Sequence, residues 1–444
     1  MEYVVMIGQL ILSLSILIVL HEMGHFFPAR LFGTRVEKFY LFFDPYFSLF
    51  KYKKGETEYG IGWLPLGGYV KISGMIDESM DREQMKQPPQ PWEFRSKKAW
   101  QRLIIMLGGV TVNFILGFFI WAMVLWVWGE RYMPTENVVH GIYADSLGQE
   151  MGLRNGDKVL GINGKPFTKF NDRLIVQEII FNDASEMEIE RNGQKQNLPI
   201  DPKWISELSS FKNKNELLFM ARFPFVIGEV SEDEKYPAKK AGIKEGDQII
   251  AFDGTFTPFY DNYRELSKAN KGKNVDLTLL RAQDTVQINL TLNEKGNIGV
   301  IPNGADFFFD EKREQYSLLA ALPAGTKKGW NFLANQIKAF GQMFKGKIKA
   351  SESLGGFKSI GGMFGYTWNW ERFWTMTAIL SLILAFMNLL PIPALDGGHV
   401  MFLLYEVITG RKPSDKFMEY ATIVGFVIVL GLVIYANALD FIRG

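Results

Sequence analysis

Four uncharged apolar stretches constrain this chain more than any other feature. They are residues 4–20, 103–128, 373–390 and 420–439. Each approaches the roughly 20 residues that a helix needs to cross about 30 Å of hydrocarbon. No basic segment precedes the first, and no small-residue cleavage site follows it, so it reads as a span rather than a removable leader. The pattern predicts four transmembrane helices. The 47% hydrophobic content of the 444 residues averages these runs with a polar remainder long enough for further domains.

Charge asymmetry orients the spans. The 28–100 loop carries Arg30, Arg35, Lys38, Arg95, Lys97 and Lys98, and the 400–418 loop carries Arg411, Lys412 and Lys416. Just beyond the second span only Arg131 is close, and just before the third the main basic residues are Lys358 and Arg372. By the positive-inside rule both termini and residues 131–372 lie outside the cytoplasm. The absence of cysteine excludes disulfides, thiolate ligands and a cysteine nucleophile. A formal net charge of +1 offers no basic surplus for nucleic acid, and none is expected as a partner.

Residues 131–304 contain a duplication. The segment Met151-Gly152-Leu153-Arg154-Asn155-Gly156-Asp157 returns as Ala241-Gly242-Ile243-Lys244-Glu245-Gly246-Asp247. Gly164 after Asn163 likewise matches Gly254 after Asp253. A domain-sized period makes this a tandem pair rather than a solenoid. The Gly-Asp turns, short apolar strands and Asn-Gly or Asp-Gly turns punctuate hairpins. Both copies resemble circularly permuted bacterial PDZ domains, the second closing with Ile298-Gly299-Val300-Ile301-Pro302. That fold takes peptide C-termini by adding a strand to a sheet edge. The alternative is that one or both copies are spacers.

The first span runs into His21-Glu22-Met23-Gly24-His25. Helical positions i and i+4 share a face, so both imidazoles project together, and the glutamate between them is placed to polarise a metal-held water. Two of only four histidines fall at this spacing. An ionisable residue at bilayer depth also normally has a function. A catalytic zinc needs a third protein ligand. His140 lies in a strand-like segment of the first repeat and reads as an ordinary histidine. His399 and Asp396 follow the third span, after the helix-breaking run Asn388-Leu389-Leu390-Pro391-Ile392-Pro393-Ala394-Leu395. Broken backbone at that depth is tolerated where it lines a buried polar cavity. Asp396 is the preferred third ligand.

His-Glu-x-x-His in a first span, with Asn-x-x-Pro-x-x-x-Leu-Asp-Gly in a later one, resembles the site-2 protease family of intramembrane zinc metalloproteases, peptidase family M50. The match covers nearly the whole chain, and the two PDZ-like inserts are similar to those of bacterial members. The resemblance implies one zinc held by His21, His25 and Asp396, with Glu22 as general base. It also implies that Asn388 holds substrate or stabilises the oxyanion. Residues 59–71, with Gly67-Gly68-Tyr69-Val70-Lys71, resemble the family's membrane-associated β-hairpin. The second span departs from the family's Gly-Pro-x-x-Asn: here it reads Gly109-Val110-Thr111-Val112-Asn113, without the proline but with Asn113.

The expected fold is a polytopic α-helical membrane protein with four transmembrane helices, a membrane-associated β-hairpin or sheet, and two extracytoplasmic PDZ-like α+β domains. Its expected parts begin with 1–30, the first span with the zinc motif, 31–100, a cytoplasmic loop with the hairpin, and 101–130, the second span. The PDZ-like domains are 131–220 and 221–304, and 305–372 is an interfacial helical segment. The third span with the ligand aspartate is 373–399, and 400–444 holds a cytoplasmic loop and the fourth span. The expected function is zinc-dependent endoproteolysis of transmembrane segments in regulated intramembrane proteolysis at a bacterial inner membrane. The substrates that the resemblance implies are pre-cut anti-sigma factors and remnant signal peptides. The competing classes are an inactive PDZ-bearing scaffold and a zinc-dependent transporter. An intact Glu22 argues against the first, and four spans with a large external insert argue against the second.

Overall fold

The computed structural model describes residues 2–65, 67–75, 87–213 and 216–443, and the chain divides into two compact units. The first comprises Met1–Gly129, Gln315–Ile337 and Leu354–Gly444; the second comprises Glu130–Glu314 and Lys338–Ser353. The 305–372 segment, expected as one interfacial stretch, is thus shared between the units.

The first unit contains helices α1 (Glu2–Leu31), α2 (Ala99–Trp128), α3 (Leu318–Phe344, continuing into the second unit), α4 (Phe357–Phe364), α5 (Trp370–Leu389), α6 (Asp396–Thr409) and α7 (Asp415–Ile442). Among the described residues, four helices are long and apolar enough to span a membrane: Tyr3–Leu31, Ala99–Trp128, Trp370–Leu389 and Lys416–Ile442. They coincide with the four apolar runs of the sequence.

Between apolar helices in lipid, close packing and interhelical hydrogen bonds replace the hydrophobic effect. Here α1 and α2 cross with their backbones in contact, since a Cβ added to Gly24 would lie 2.5 Å from the Gly108 carbonyl oxygen. Ser13 and Thr377 share a hydrogen bond of 2.9 Å between α1 and α5, and the Ser381 hydroxyl donates to the Asn113 carbonyl at 2.7 Å. Such bonds contribute on the order of 0.6 kcal/mol each; they fix helix rotation more than stability. Arg102 of α2 and Glu406 of α6 pair at 2.6 Å, both largely buried. The N-terminus of α4, where Gly356 offers no capping side chain, is served by α7: the Asp440 carboxylate accepts from the Ser359 N–H at 2.8 Å and Asn437 from the Phe357 N–H at 3.1 Å.

Strands β1 (Val36–Leu41), β2 (Phe43–Lys54), β3 (Thr57–Leu64) and β4 (Tyr69–Ile72) form a sheet in the order β2-β3-β1-β4. The β2–β3 pair is an antiparallel hairpin, β1 runs parallel to β3, and β4 is antiparallel to β1. The hairpin expected over 59–71 is therefore corrected: β3 and β4 lie on either side of β1 and do not pair. Gly68 makes that crossing possible, because any Cβ there would sit 2.7 Å from the Tyr40 carbonyl oxygen. The edge strand β2 is bulged, with positive φ at Tyr46 and at Phe42 just before the strand, and exposes Tyr46, Phe47, Leu49, Phe50 and Tyr52.

The second unit shows the duplication in three dimensions. Strands β5 (Lys158–Ile162), β6 (Lys165–Pro166), β7 (Glu186–Arg191) and β8 (Gln194–Pro199) pair in the order β8-β7-β5-β6. Strands β9 (Gln248–Phe252), β10 (Thr255–Phe256), β11 (Asn274–Arg281) and β12 (Asp284–Thr291) pair in the equivalent order β12-β11-β9-β10. Each copy has its own apolar core, around Ile175, Ile179 and Ile189 in one and Ile249, Leu277 and Leu279 in the other. The same ion pair recurs, Asp157 with Arg191 at 2.7 Å and Asp247 with Arg281 at 2.8 Å. Burial alone would push the Asp247 carboxyl up, but the Arg281 hydrogen bonds, the Lys244 backbone N–H and the positive charges of both residues together outweigh it and hold the group below the ordinary carboxylate range. The two turns repeat as well, with Asn163 and Asp253 at φ 46° and 47° before a glycine. The copies differ in one insertion. Helix Lys203–Ser209 of the first buries Trp204 and Ile205 in its core, whereas the second has only a short connection after β12.

Candidate metal centre

His21 and His25 sit one turn apart on α1, where that helix meets the Gly108–Gly109 step of α2. Small residues are required there. A Cβ on Gly109 would fall 2.3 Å from His25 Nε2 and 2.9 Å from His21 Nε2, inside the space the two imidazoles face. Sequence reasoning did not single out Gly109 for this role. Its only sequence signal was a glycine pair inside a membrane span.

Asp396 reaches the same place from a different direction. Helix α5 ends at Leu389, and Pro391 and Pro393 cannot donate backbone hydrogen bonds to continue it. The chain turns through Leu390–Leu395 and restarts as α6, with Asp396 its first residue. Three contacts hold the break. A Cβ on Gly397 would meet the Leu390 carbonyl oxygen at 2.3 Å, one on Gly398 would meet Pro393 Cα at 2.5 Å, and one on Gly425 of α7 would meet the Pro393 carbonyl oxygen at 1.6 Å. Ala394, at φ 150°, occupies backbone space that costs a non-glycine residue about 1–3 kcal/mol.

Three ligand atoms converge. His21 Nε2 lies 3.2 Å from His25 Nε2, and Asp396 Oδ2 lies 3.3 Å from the first and 3.4 Å from the second. A tetrahedral zinc with bonds of about 2.05 Å spaces its ligand atoms about 3.3 Å apart, so this triangle has the size of one face of such a site. Asp396 Oδ2 is also buried without a hydrogen-bond partner, a cost of about 1–3 kcal/mol that a cation would remove. These residues fit zinc. His25 Nδ1 donates to the Ile105 carbonyl at 2.8 Å, and because a carbonyl only accepts, the proton sits on Nδ1 and leaves the Nε2 lone pair for a metal. His21 Nδ1 faces the Asn113 amide at 3.1 Å.

Glu22, between the two histidines, is half-buried, with the Gly68–Val70 backbone beside its carboxylate. Among the described residues, His21, His25 and Asp396 are the group whose ligand atoms lie within 4.8 Å of one another. His399 lies outside that group and lines a separate cavity with Phe94, Arg102, Glu406 and Lys412. His140 packs against Phe259 in the second unit, with the rings tilted and their centroids 5.1 Å apart. Asn388 occupies the last turn of α5, and its amide makes no hydrogen bond among the described residues.

A sequence model of peptidase family M50 matches residues 9–432. The chain is 28% identical over 462 residues to the regulator of sigma E protease of Haemophilus influenzae, covering the whole of both chains. It is 28% identical over 453 residues to the regulator of sigma-E protease RseP of Escherichia coli K12, covering 98% of each.

Proposed function

The chain belongs to peptidase family M50 and is a zinc-dependent intramembrane metalloendopeptidase; from that premise we propose that His21, His25 and Asp396 hold the zinc and that Glu22 is the general base. The ligand triangle with sides of 3.2, 3.3 and 3.4 Å carries this reading. With that triangle and Glu22 both intact, an inactive scaffold is not favoured.

When bound, zinc supplies Lewis-acid polarisation and acidifies the water it holds. The chain's own residues do the rest. Glu22 takes a proton from the attacking water and returns it to the leaving amine. Asn388, with an uncommitted amide on the last turn of α5, donates to the developing oxyanion. A transmembrane helix hides its carbonyls in its own hydrogen bonds, so the substrate must unwind first. The edge strand β4, beside Glu22, takes the unwound segment as an added strand.

The second unit is read as the two PDZ-like domains, outside the cytoplasm together with both termini, as the loop charges require. The repeated sheet order and the repeated Asp–Arg pair support the duplication. The buried Trp204 and Ile205 helix, packed on helix Asp172–Asn182, favours the second copy as the one able to take a peptide C-terminus. The relatives are named for sigma-E regulation. The corresponding substrates here are anti-sigma factors already trimmed outside the membrane, and remnant signal peptides.

Glu22→Gln tests the assignment. It should retain wild-type zinc content while cleavage of a model transmembrane substrate falls at least 100-fold, in line with loss of a general base. Cleavage at the wild-type rate would remove Glu22 from the mechanism.

A further inference from the structure

We propose that Asn113 is the positioning residue for His21: its side-chain oxygen accepts from the imidazole Nδ1–H and so commits Nε2 to the metal. The inference rests on His21 being a zinc ligand. A neutral imidazole has one donor nitrogen and one acceptor, and whichever atom the first nitrogen meets decides which nitrogen is left for the metal.

The two histidines solve this differently. His25 meets a backbone carbonyl, that of Ile105, 2.8 Å away. His21 meets a side chain, the Asn113 amide, at 3.1 Å. Both partners come from α2, and Ile105, Gly109 and Asn113 stand at intervals of four on one helical face. That face therefore supplies the partner of one imidazole, the space in front of both, and the partner of the other.

Nothing else in the surroundings explains the amide. Asn113 is buried at 1% exposure inside an apolar helix, where a carboxamide is costly, and one of its polar atoms, Oδ1, has no hydrogen-bond partner. A half-turn about its last torsion exchanges the amide nitrogen and oxygen at almost unchanged positions. The oxygen then meets Nδ1, as a metal-bound His21 requires. The residue is held from behind, since the Ser381 hydroxyl of α5 donates to the Asn113 carbonyl at 2.7 Å and fixes the rotation of α2 at that point.

Zinc affinity of the full-length protein in detergent, by competition with a chromophoric chelator, tests the proposal. Replacing the outer partner of a metal-bound histidine typically weakens binding about 10–100-fold, and Asn113→Leu, similar in size and unable to accept, should fall in that range. Asn113→Asp keeps an acceptor and loses the donor, so it should bind zinc at least as tightly as wild type. If the amide instead served only as a donor holding the helices together, Asn113→Asp would bind zinc as poorly as Asn113→Leu, and the proposal would be overturned. Weaker binding in Asn113→Asp than in wild type overturns the proposal even if Asn113→Leu does not fold. Wild-type affinity in folded Asn113→Leu would overturn it equally. His21→Ala separates the two levels of the argument. If that variant keeps wild-type affinity, the ligand assignment itself fails; if only the Asn113 variants do, the positioning role alone fails.

Discussion

At the scale of single residues, the site depends as much on what is missing as on what is present. Two imidazoles and a carboxylate reach one another only because Gly109 has no side chain. Gly109→Ala places a methyl group 2.3 Å from His25 Nε2, so it should lower zinc occupancy strongly even though no ligand is altered. The third ligand can be tested in the same assay. Asp396→Ala should lose zinc and cleavage together, while His399→Ala, one turn further along α6 and lining another cavity, should keep its zinc. The opposite pattern would transfer the ligand role to His399. His21-Glu22-x-x-His25 was legible from spacing alone, because helical periodicity needs no tertiary information. The contacts of Gly109 and Asn113 were not, because a glycine or asparagine in a span says nothing about which side chain of another helix will face it.

At the scale of elements, the feature that matters most is the interruption between α5 and α6. A continuous helix would carry Asp396 about 10 Å beyond Leu389, at 1.5 Å per residue; the break turns it back into the site. Ala394 is under backbone strain there, and Gly425 supports the break from α7. Ala394→Gly should therefore stabilise the protein by about 1 kcal/mol and leave cleavage intact, read as a higher unfolding temperature in detergent. Gly425→Leu should displace Pro393 and weaken zinc binding without touching a ligand. Wild-type zinc affinity in Gly425→Leu would show that α7 does not hold the break in place. The prolines and glycines announced an interruption in the sequence. Its support by α7 was invisible, because the partner is another apolar helix whose packing face has no sequence signature.

At the scale of the whole molecule, the second unit is inserted where α2 ends. Strand Glu130–Tyr132, through which the chain first enters it, pairs with strand Lys312–Glu314, through which the chain leaves before returning over Lys338–Ser353. If this insert acts as a size gate, it excludes substrates with bulky external domains and admits those already trimmed. Deleting 138–302 keeps both paired strands. The expected result is new cleavage of an untrimmed substrate, measured beside a trimmed one. If the folded, zinc-loaded deletion still leaves the untrimmed substrate intact and loses activity on the trimmed one, the insert works by affinity instead.

The sequence by itself determined whatever depends on near neighbours along the chain: four apolar helices from run length, a His-Glu-x-x-His constellation from helical spacing, and a duplication from repeated turns. Each follows from the geometry of a local element, which is nearly the same in every protein. Tertiary structure decided the rest. It brought Asp396, already preferred from the sequence, to the two imidazoles, placed β3 and β4 on opposite sides of β1, and set α2 against α1 closely enough for Asn113 to reach His21. These outcomes turn on differences of an ångström or two between segments far apart in the chain, where close packing of backbones and single interhelical hydrogen bonds determine which atoms meet.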